Sequence, residues 1–282
     1  MSHATTLRQL IQQASALLKQ VNCDAPMRDA EQLLMSVWGM RRTDLIIRAS
    51  EPVPEAIETV FNALIQRRMQ REPLAYILGE KEFWSRPFHV TSDVLVPRPE
   101  TEHLIEAVLE YFPDQQGAYN FCDIGTGSGI IAVTLACEYP KAHIIATDIS
   151  ESALRVATGN AIQHKVEDRI TFKQGDMLQA IEQRNAHFDA IISYPPYVAE
   201  HEMASLEQEL SYEPRNALTD ESDGLTFLTD ILNTGPEFLQ TSGMIMLETG
   251  PCGLPDTPET LIFEKVIHDL AGHARGGIYR CV

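Results

Sequence analysis

Three stretches of this 282-residue chain combine residue types at spacings that could do chemistry. The first is Asp123-Ile-Gly-Thr-Gly-Ser-Gly129. Gly125, Gly127 and Gly129 let the backbone turn sharply and approach a ligand with no Cβ in the way. Thr126 and Ser128 sit between them. A helix starting behind such a loop offers free N–H groups and a positive dipole end to a carboxylate or phosphate. A tight strand-to-helix turn with no ligand is the other reading. The second stretch is a pair of acids at the ends of the following strands. Asp148 stands 21 residues after Gly127, where an acid grips ribose hydroxyls or caps the next helix. Asp176 is placed to accept a hydrogen bond from an adenine amino group, with Met177 packed on the ring, or to make a turn. The third is Ile191-Ile-Ser-Tyr-Pro-Pro-Tyr197. Pro195 and Pro196 stiffen a loop at the carboxyl end of a strand, which is where ligands sit in open α/β sheets. Tyr194 and Tyr197 flank them, and Tyr197 offers a flat wall to a planar group.

The elements that must hold these stretches are legible in the hydrophobic pattern. Asn120–Ile124, His143–Thr147, Ile170–Gln174, Phe188–Ser193 and Gly243–Leu247 read as short apolar strands. Ile130–Glu138, Glu151–His164 and a segment around Leu225–Leu239 read as helices between them. Such alternation predicts a doubly wound, mostly parallel sheet. Ahead of it, Pro97-Arg-Pro-Glu-Thr-Glu102 opens a helix through Leu104, Ile105, Val108 and Leu109. Phe83 to Val96 reads as a hairpin among turn formers. The first 75 residues are different. Leu7, Leu10, Ile11, Ala14, Leu17, Leu18 and Val21 keep helical period, as do Ala30 to Val37 and Ile57 to Ile65. The expected layout is a helical domain over 1–75, a hairpin linker over 76–98 and an α/β domain over 99–282.

Composition bounds the function. The chain is 44% hydrophobic and 22% charged, enough to bury a core. No apolar run is long enough to span a membrane, and the first ten residues lack a signal-peptide pattern. Five cysteines with no C-x-x-C pair argue against a disulfide framework or zinc site and for a reducing, cytoplasmic compartment. The nine histidines form no H-E-x-x-H pattern, so no metal site is expected. No Gly-x-Ser-x-Gly elbow supports a serine hydrolase. Net charge is −18, and residues 76–282 carry more than all of it, with 13 Lys/Arg against 32 Asp/Glu, while the first 75 residues are slightly positive. A body this acidic repels phosphate backbones, so direct nucleic-acid binding is not expected. The one basic concentration, Arg67, Arg68 and Arg71, reads first as a solvated helix face, with contact to an acidic partner as the alternative.

The glycine spacing differs from the dinucleotide form Gly-x-Gly-x-x-Gly and resembles the loop of class I S-adenosylmethionine-dependent methyltransferases. There the leading acid, here Asp123, holds the methionyl ammonium directly or indirectly. Tyr194-Pro-Pro-Tyr197 resembles the Asn/Asp-Pro-Pro-Tyr motif of amino-group methyltransferases. Glu82-Phe-Trp84, Val94-Leu-Val-Pro-Arg-Pro-Glu-Thr-Glu102, Tyr212-Glu-Pro-Arg-Asn-Ala-Leu218, Asp223-Gly224 and Leu247-Glu248 narrow the likeness. With the helical first domain, they resemble the bacterial release-factor glutamine N5-methyltransferases over about residues 7 to 275. The resemblance implies an α/β fold, a Rossmann-like class I methyltransferase sheet with a small N-terminal helical domain. It implies that a monomer in the cytoplasm methylates the glutamine amide of a Gly-Gly-Gln loop in peptide chain release factors. S-adenosylmethionine would be held by Asp123, Gly125, Thr126, Gly127, Ser128, Gly129, Asp148, Asp176, Met177 and Tyr194. Catalysis would fall to Tyr194, Pro195, Pro196 and Tyr197, through positioning and electrostatics. A nucleic-acid amino-methyltransferase is the runner-up.

Two departures stand against the likeness. Tyr194 occupies the place of the motif's Asn or Asp, so a hydroxyl on a large ring replaces a short amide. Losing one such polar contact costs on the order of 10²–10³ in rate. The expectation is an impaired enzyme; the alternatives are a hydroxyl standing in for the amide oxygen, or a cofactor-binding interaction protein without efficient turnover. The stretch after Glu248, Thr-Gly-Pro-Cys-Gly-Leu-Pro-Asp-Thr-Pro258, is poor in helix formers. A shortened last helix and shortened edge strands are expected there. His273 reads as a turn or sheet-edge residue. Arg98 with Glu100, and Glu213 with Arg215, read equally as salt-bridged caps or substrate contacts.

Overall fold

The computed structural model describes residues 5–181, 187–269 and 271–282. The chain divides into two compact units. One runs to Gly79 and also takes Glu207–Tyr212; the other comprises Glu80–Leu206 and Glu213–Val282. Among the described residues no helix is long and apolar enough to cross a membrane.

The first unit is helical: α1 (Leu7–Gln20), α2 (Pro26–Trp38), α3 (Arg42–Ile47), α4 (Glu55–Met69) and α5 (Leu74–Leu78). Thr6 starts α1 with a capping box, its hydroxyl accepting from Gln9 N while the Gln9 side chain accepts from Thr6 N. Pro26 at the first turn of α2 and left-handed Gly39 after it mark that helix's two ends. The apolar stripes Leu7, Leu10, Leu18, Leu33, Leu34, Phe61 and Ile65 meet in one core. The arginines correct the expectation of a solvated face. Arg67 is exposed and pairs with Glu72, but Arg68 and Arg71 are 4% and 8% exposed. Arg68 lies 2.7 Å from Asp29, and both arginines reach Glu209, at 2.8 and 3.1 Å.

The second unit begins with a hairpin, β1 (Glu80–Phe83) and β2 (Arg86–His89), turned by Trp84 and Ser85 at φ 51° and 56°. A short 3₁₀ turn at Pro99–Thr101 leads into α6 (Glu102–Tyr111). Then follow β3 (Asn120–Ile124), α7 (Ile130–Glu138), β4 (His143–Asp148), α8 (Glu151–His164), β5 (Ile170–Gln174) and β6 (Phe188–Ser193). The unit closes with α9 (Thr226–Thr234), β7 (Leu239–Glu248), β8 (Leu261–His268) and β9 (Ala274–Cys281). Seven strands make one sheet in the order β5-β4-β3-β6-β7-β9-β8. The first five run parallel, and β9 pairs antiparallel with both neighbours. From β3 the chain winds through β4 to β5 on one side, then returns to β6 and β7 on the other. That reversal opens a crevice at the carboxyl ends of β3 and β6. Residues of α6 and α7 pack on one face of the sheet and those of α9 on the other.

No helix forms between β7 and β8, in line with the poor helix formers after Glu248. The strands that follow, β8 and β9, are eight residues each and pair along their length. His273 lies in their turn, its ring near Asp269.

Candidate active site

The glycine loop joins β3 to α7. Gly125, Gly127 and Gly129 have φ of 70°, 54° and 84°, a region that costs any residue with a Cβ. The amides of Gly125 and Thr126 both donate to Thr147 O at 2.9 Å, pinning the loop to β4. Around Gly125 and Gly127 the space a Cβ would enter is open. At Gly129 it is closed, with Ala157 Cβ of α8 at 3.0 Å, so that glycine serves helix packing.

Asp123 is fully buried behind the loop. Its Oδ2 accepts from Thr126 Oγ1 at 2.6 Å and from Ala132 N at 3.1 Å, tying the loop to the first turn of α7. Its Oδ1 has no hydrogen-bond partner among the described residues. Burial pushes the carboxyl up to about 7, against the pull of those two bonds. Asp148 ends β4 and accepts from Gly127 N at 2.9 Å and Ser150 N at 2.8 Å. It therefore braces the loop as well as facing the crevice. Burial raises its pKa, and the backbone donors oppose the rise.

A cavity of about 220 Å³ occupies the crevice. Gly125, Thr126, Gly127, Ser128, Asp148, Asp176, Met177, Tyr194, Pro195 and Pro196 all line it. Three of the expected site residues stand back from it. Asp123 and Gly129 act from behind the loop, as described. Tyr197 packs behind Tyr194, the ring centroids 5.7 Å apart and inclined by 34°, and against Gly250. Tyr194, rather than Tyr197, lines the cavity. Ser193 Oγ donates to Ile124 O at 2.8 Å and locks the ends of β6 and β3 together.

The sequence reading missed several residues. Val94, Leu95 and Pro97 form one wall, and Asn216, Ala217 and Phe227 another. Asn160 of α8 is the main supporting residue missed. Its Oδ1 accepts from His89 N at 2.7 Å, and its Nδ2 donates to His89 O at 3.0 Å and Ser128 O at 2.8 Å. It clamps the hairpin to the glycine loop. Its signal was available: an amide on the apolar stripe of α8, between Ala157 and Ala161. Arg98 pairs with Glu213 at 2.6 Å, and Glu213 also accepts from Val96 N at 3.0 Å. That pair secures the wall at Pro97. Arg215 pairs with exposed Glu221.

The arrangement fits S-adenosylmethionine. Two glycine faces open onto the cavity, and two carboxylates at successive strand ends suit hydroxyl and amino donors. Met177, Pro195 and Pro196 present apolar surface to the cavity. The unpartnered Asp123 Oδ1 leaves acceptor capacity behind the loop.

Comparison with known proteins agrees with this geometry. Residues 9–79 match the PrmC N-terminal domain, and residues 102–246 the methyltransferase small domain. The release factor glutamine methyltransferase of Nitratidesulfovibrio vulgaris is 39% identical over 96% of this chain and 93% of its own. The bifunctional methyltransferase of Rickettsia typhi is 36% identical over 87% of this chain, which spans 50% of that protein. Among solved structures, the catalytic domain of hMettl16 in complex with MAT2A 3′UTR hairpin 6 aligns with a TM-score of 0.50. The likeness, at 15% identity over 69% of this chain and 74% of that one, is one of fold.

Proposed function

Since the chain belongs to the release factor glutamine methyltransferase family and is a methyltransferase that uses S-adenosylmethionine, we propose that its acceptor is the glutamine amide of the Gly-Gly-Gln loop in a peptide chain release factor. One observation carries the reading: a single cavity runs from the glycine loop to Tyr194, Pro195 and Pro196. The donor supplies a methyl group on a cationic sulfur, which leaves as a neutral thioether. Everything else is the work of this chain. Asp148 and Asp176 orient the nucleoside end, and the open backbone at Gly125 and Gly127, with Asp123 behind it, the amino-acid end. The proline pair fixes the loop so that a planar amide lies against Tyr194. An amide nitrogen is a poor nucleophile because its lone pair is delocalised, so rate depends on alignment and on acceptors for its protons. The setting would be the cytoplasm, with the protein acting as a monomer.

The test uses radiolabelled S-adenosylmethionine with a release factor, with the same factor carrying Glu for Gln in its Gly-Gly-Gln loop, and with DNA and RNA. Label on the intact factor alone is expected. Label that survives the Gln-to-Glu change, or that goes to nucleic acid, overturns the reading. Donor binding without label in any arm would make this a binding protein.

A further inference from the structure

The end of β7 bears a carboxyl group to which the roles above give no use. Glu248 is 3% exposed, and its Oε2 has no hydrogen-bond partner among the described residues. Buried acids are ordinarily paired or hydrogen-bonded, and exceptions concentrate at functional sites. The parallel pairing of β6 with β7 sets Ser193 opposite Leu247. The next residues, Tyr194 and Glu248, therefore stand side by side where the two strands end. Tyr194 lines the cavity and its ring lies against that of Tyr197, the centroids 5.7 Å apart. The Glu248 carboxyl lies near enough for its charge to act on both phenols. The other groups facing it are Glu100, Thr101 and Arg98, ahead of α6, and Arg275 on β9. Tyr194 thus meets the cavity on one side and a buried acid on the other.

We propose that Glu248 is a positioning residue that takes up, through the Tyr194–Tyr197 phenol pair, the proton shed by the acceptor nitrogen. The inference rests on the amide-methylation reading above. As the nitrogen lone pair forms the new N–C bond, the electron pair of the breaking S–C bond stays on sulfur. The nitrogen is then cationic until one of its two protons leaves. Tyr194 accepts that proton while passing its own to Tyr197, and Tyr197 passes its proton to the Glu248 carboxylate. One carboxylate becomes one carboxylic acid, nothing is oxidised or reduced, and the acid returns its proton to water between turnovers. A motif amide accepts a hydrogen bond but has no such proton path behind it. Tyr194 is then the hydroxyl that stands in for the amide oxygen.

Burial pushes the Glu248 carboxyl up to about 8, with Arg98 and Arg275 opposing the rise. The carboxylate is the working form, so turnover should climb with pH and level off above about 8. The test is kcat against pH at saturating S-adenosylmethionine and release factor, for the wild type, Glu248→Gln, Tyr194→Phe and the double variant. Saturation removes the titration of Asp123, which acts on donor binding. Wild-type kcat should rise about tenfold per pH unit below the plateau. Glu248→Gln should lose on the order of 10² at the plateau and lose the slope, with the donor KM held within about twofold. Tyr194→Phe should do the same, and the double variant should lose no more. If Glu248→Gln does not fold, Tyr197→Phe interrupts the same path. A retained slope, an equal loss at every pH, or an unaffected Tyr194→Phe overturns the inference alone. A wild type that labels nothing at any pH overturns it together with the amide reading.

Discussion

Asp123 and Asp148 are both carboxylates at the head of the crevice, and their surroundings divide their work. Asp148 holds its carboxyl in reach of the cavity, where two backbone amides bind it and oppose the rise that burial causes. Asp123 is sealed behind the loop, where burial lifts it to about 7. In the unfolded chain an aspartate titrates near its ordinary value of 3.8, so between about pH 4 and about pH 7 the folded state holds a proton that the unfolded state has lost. Stability from this group is therefore present at low pH and falls as pH rises through that window. Asp123→Asn keeps an acceptor for Thr126 and Ala132 but has no charge to bury. The melting temperature of Asp123→Asn relative to wild type, measured without donor, should be near parity at about pH 4 and rise until about pH 7. A difference that does not change with pH would mean the carboxyl is not buried as described. At this scale the sequence made the carboxylates, glycines and prolines readable, because residue type and spacing state their chemistry. It did not separate Tyr194 from Tyr197 as the residue lining the cavity. That depends on which way a loop turns after β6 and on Gly250, 53 residues further along, leaving room for one ring and not the other.

Elements were readable where the hydrophobic period is strong and both faces are covered. β3, α7, α8, β5 and β6 begin and end where the pattern says, since each is an apolar run between turn formers. β7 extends four residues earlier, to Leu239, through the polar Gln240, Thr241 and Ser242. No local preference announces that extension; it follows from Leu239 pairing with Phe188 across a register shift. Asn160 is another long-range feature. An amide on the buried stripe of α8 looks like an imperfection in an amphipathic helix, and its meaning appears only when β2 and the glycine loop come to lie on either side of it. Removing it takes away the buried bond to Ser128 O and the two part-buried bonds to the His89 backbone. Each buried unsatisfied group costs about 1–3 kcal/mol. Asn160→Ala should therefore lower unfolding free energy by about 2–4 kcal/mol in urea titrations. It should also weaken binding of S-adenosylhomocysteine more than Gln163→Ala, whose amide makes one exposed bond to Pro87 O. Equal losses in the two variants would reduce the clamp to an ordinary surface contact.

Over the whole molecule, charge and connectivity cross the boundary that hydrophobic pattern draws. The pattern separates a helical first unit from an α/β second one, yet Glu207–Tyr212 leaves the run of the second unit and belongs to the first. Glu209 arrives there to meet Arg68 and Arg71, and Tyr212 donates to Gln70 O at 2.9 Å. The three basic residues looked like a solvated face because their acidic partner lies about 140 positions away in sequence. Helical periodicity cannot see that distance. A buried ion-pair network of this kind is weak evidence for net stability, but breaking it from one side leaves the remaining charges unpaired and costs about 3–5 kcal/mol. Arg68→Ala strands Asp29, which is 5% exposed, and half-strands Glu209. The chain's two tryptophans make the consequence separable, because Trp38 lies in α2 and Trp84 in the hairpin of the second unit. In a Trp84→Phe background, fluorescence follows the helical unit alone; in a Trp38→Phe background, it follows the other. Arg68→Ala should shift the Trp38 transition to lower urea by the full cost, and the Trp84 transition by less than about 1 kcal/mol. Equal shifts in both would show the network to hold the entire chain as one cooperative body, and no shift in either would show the arginines to be solvated after all.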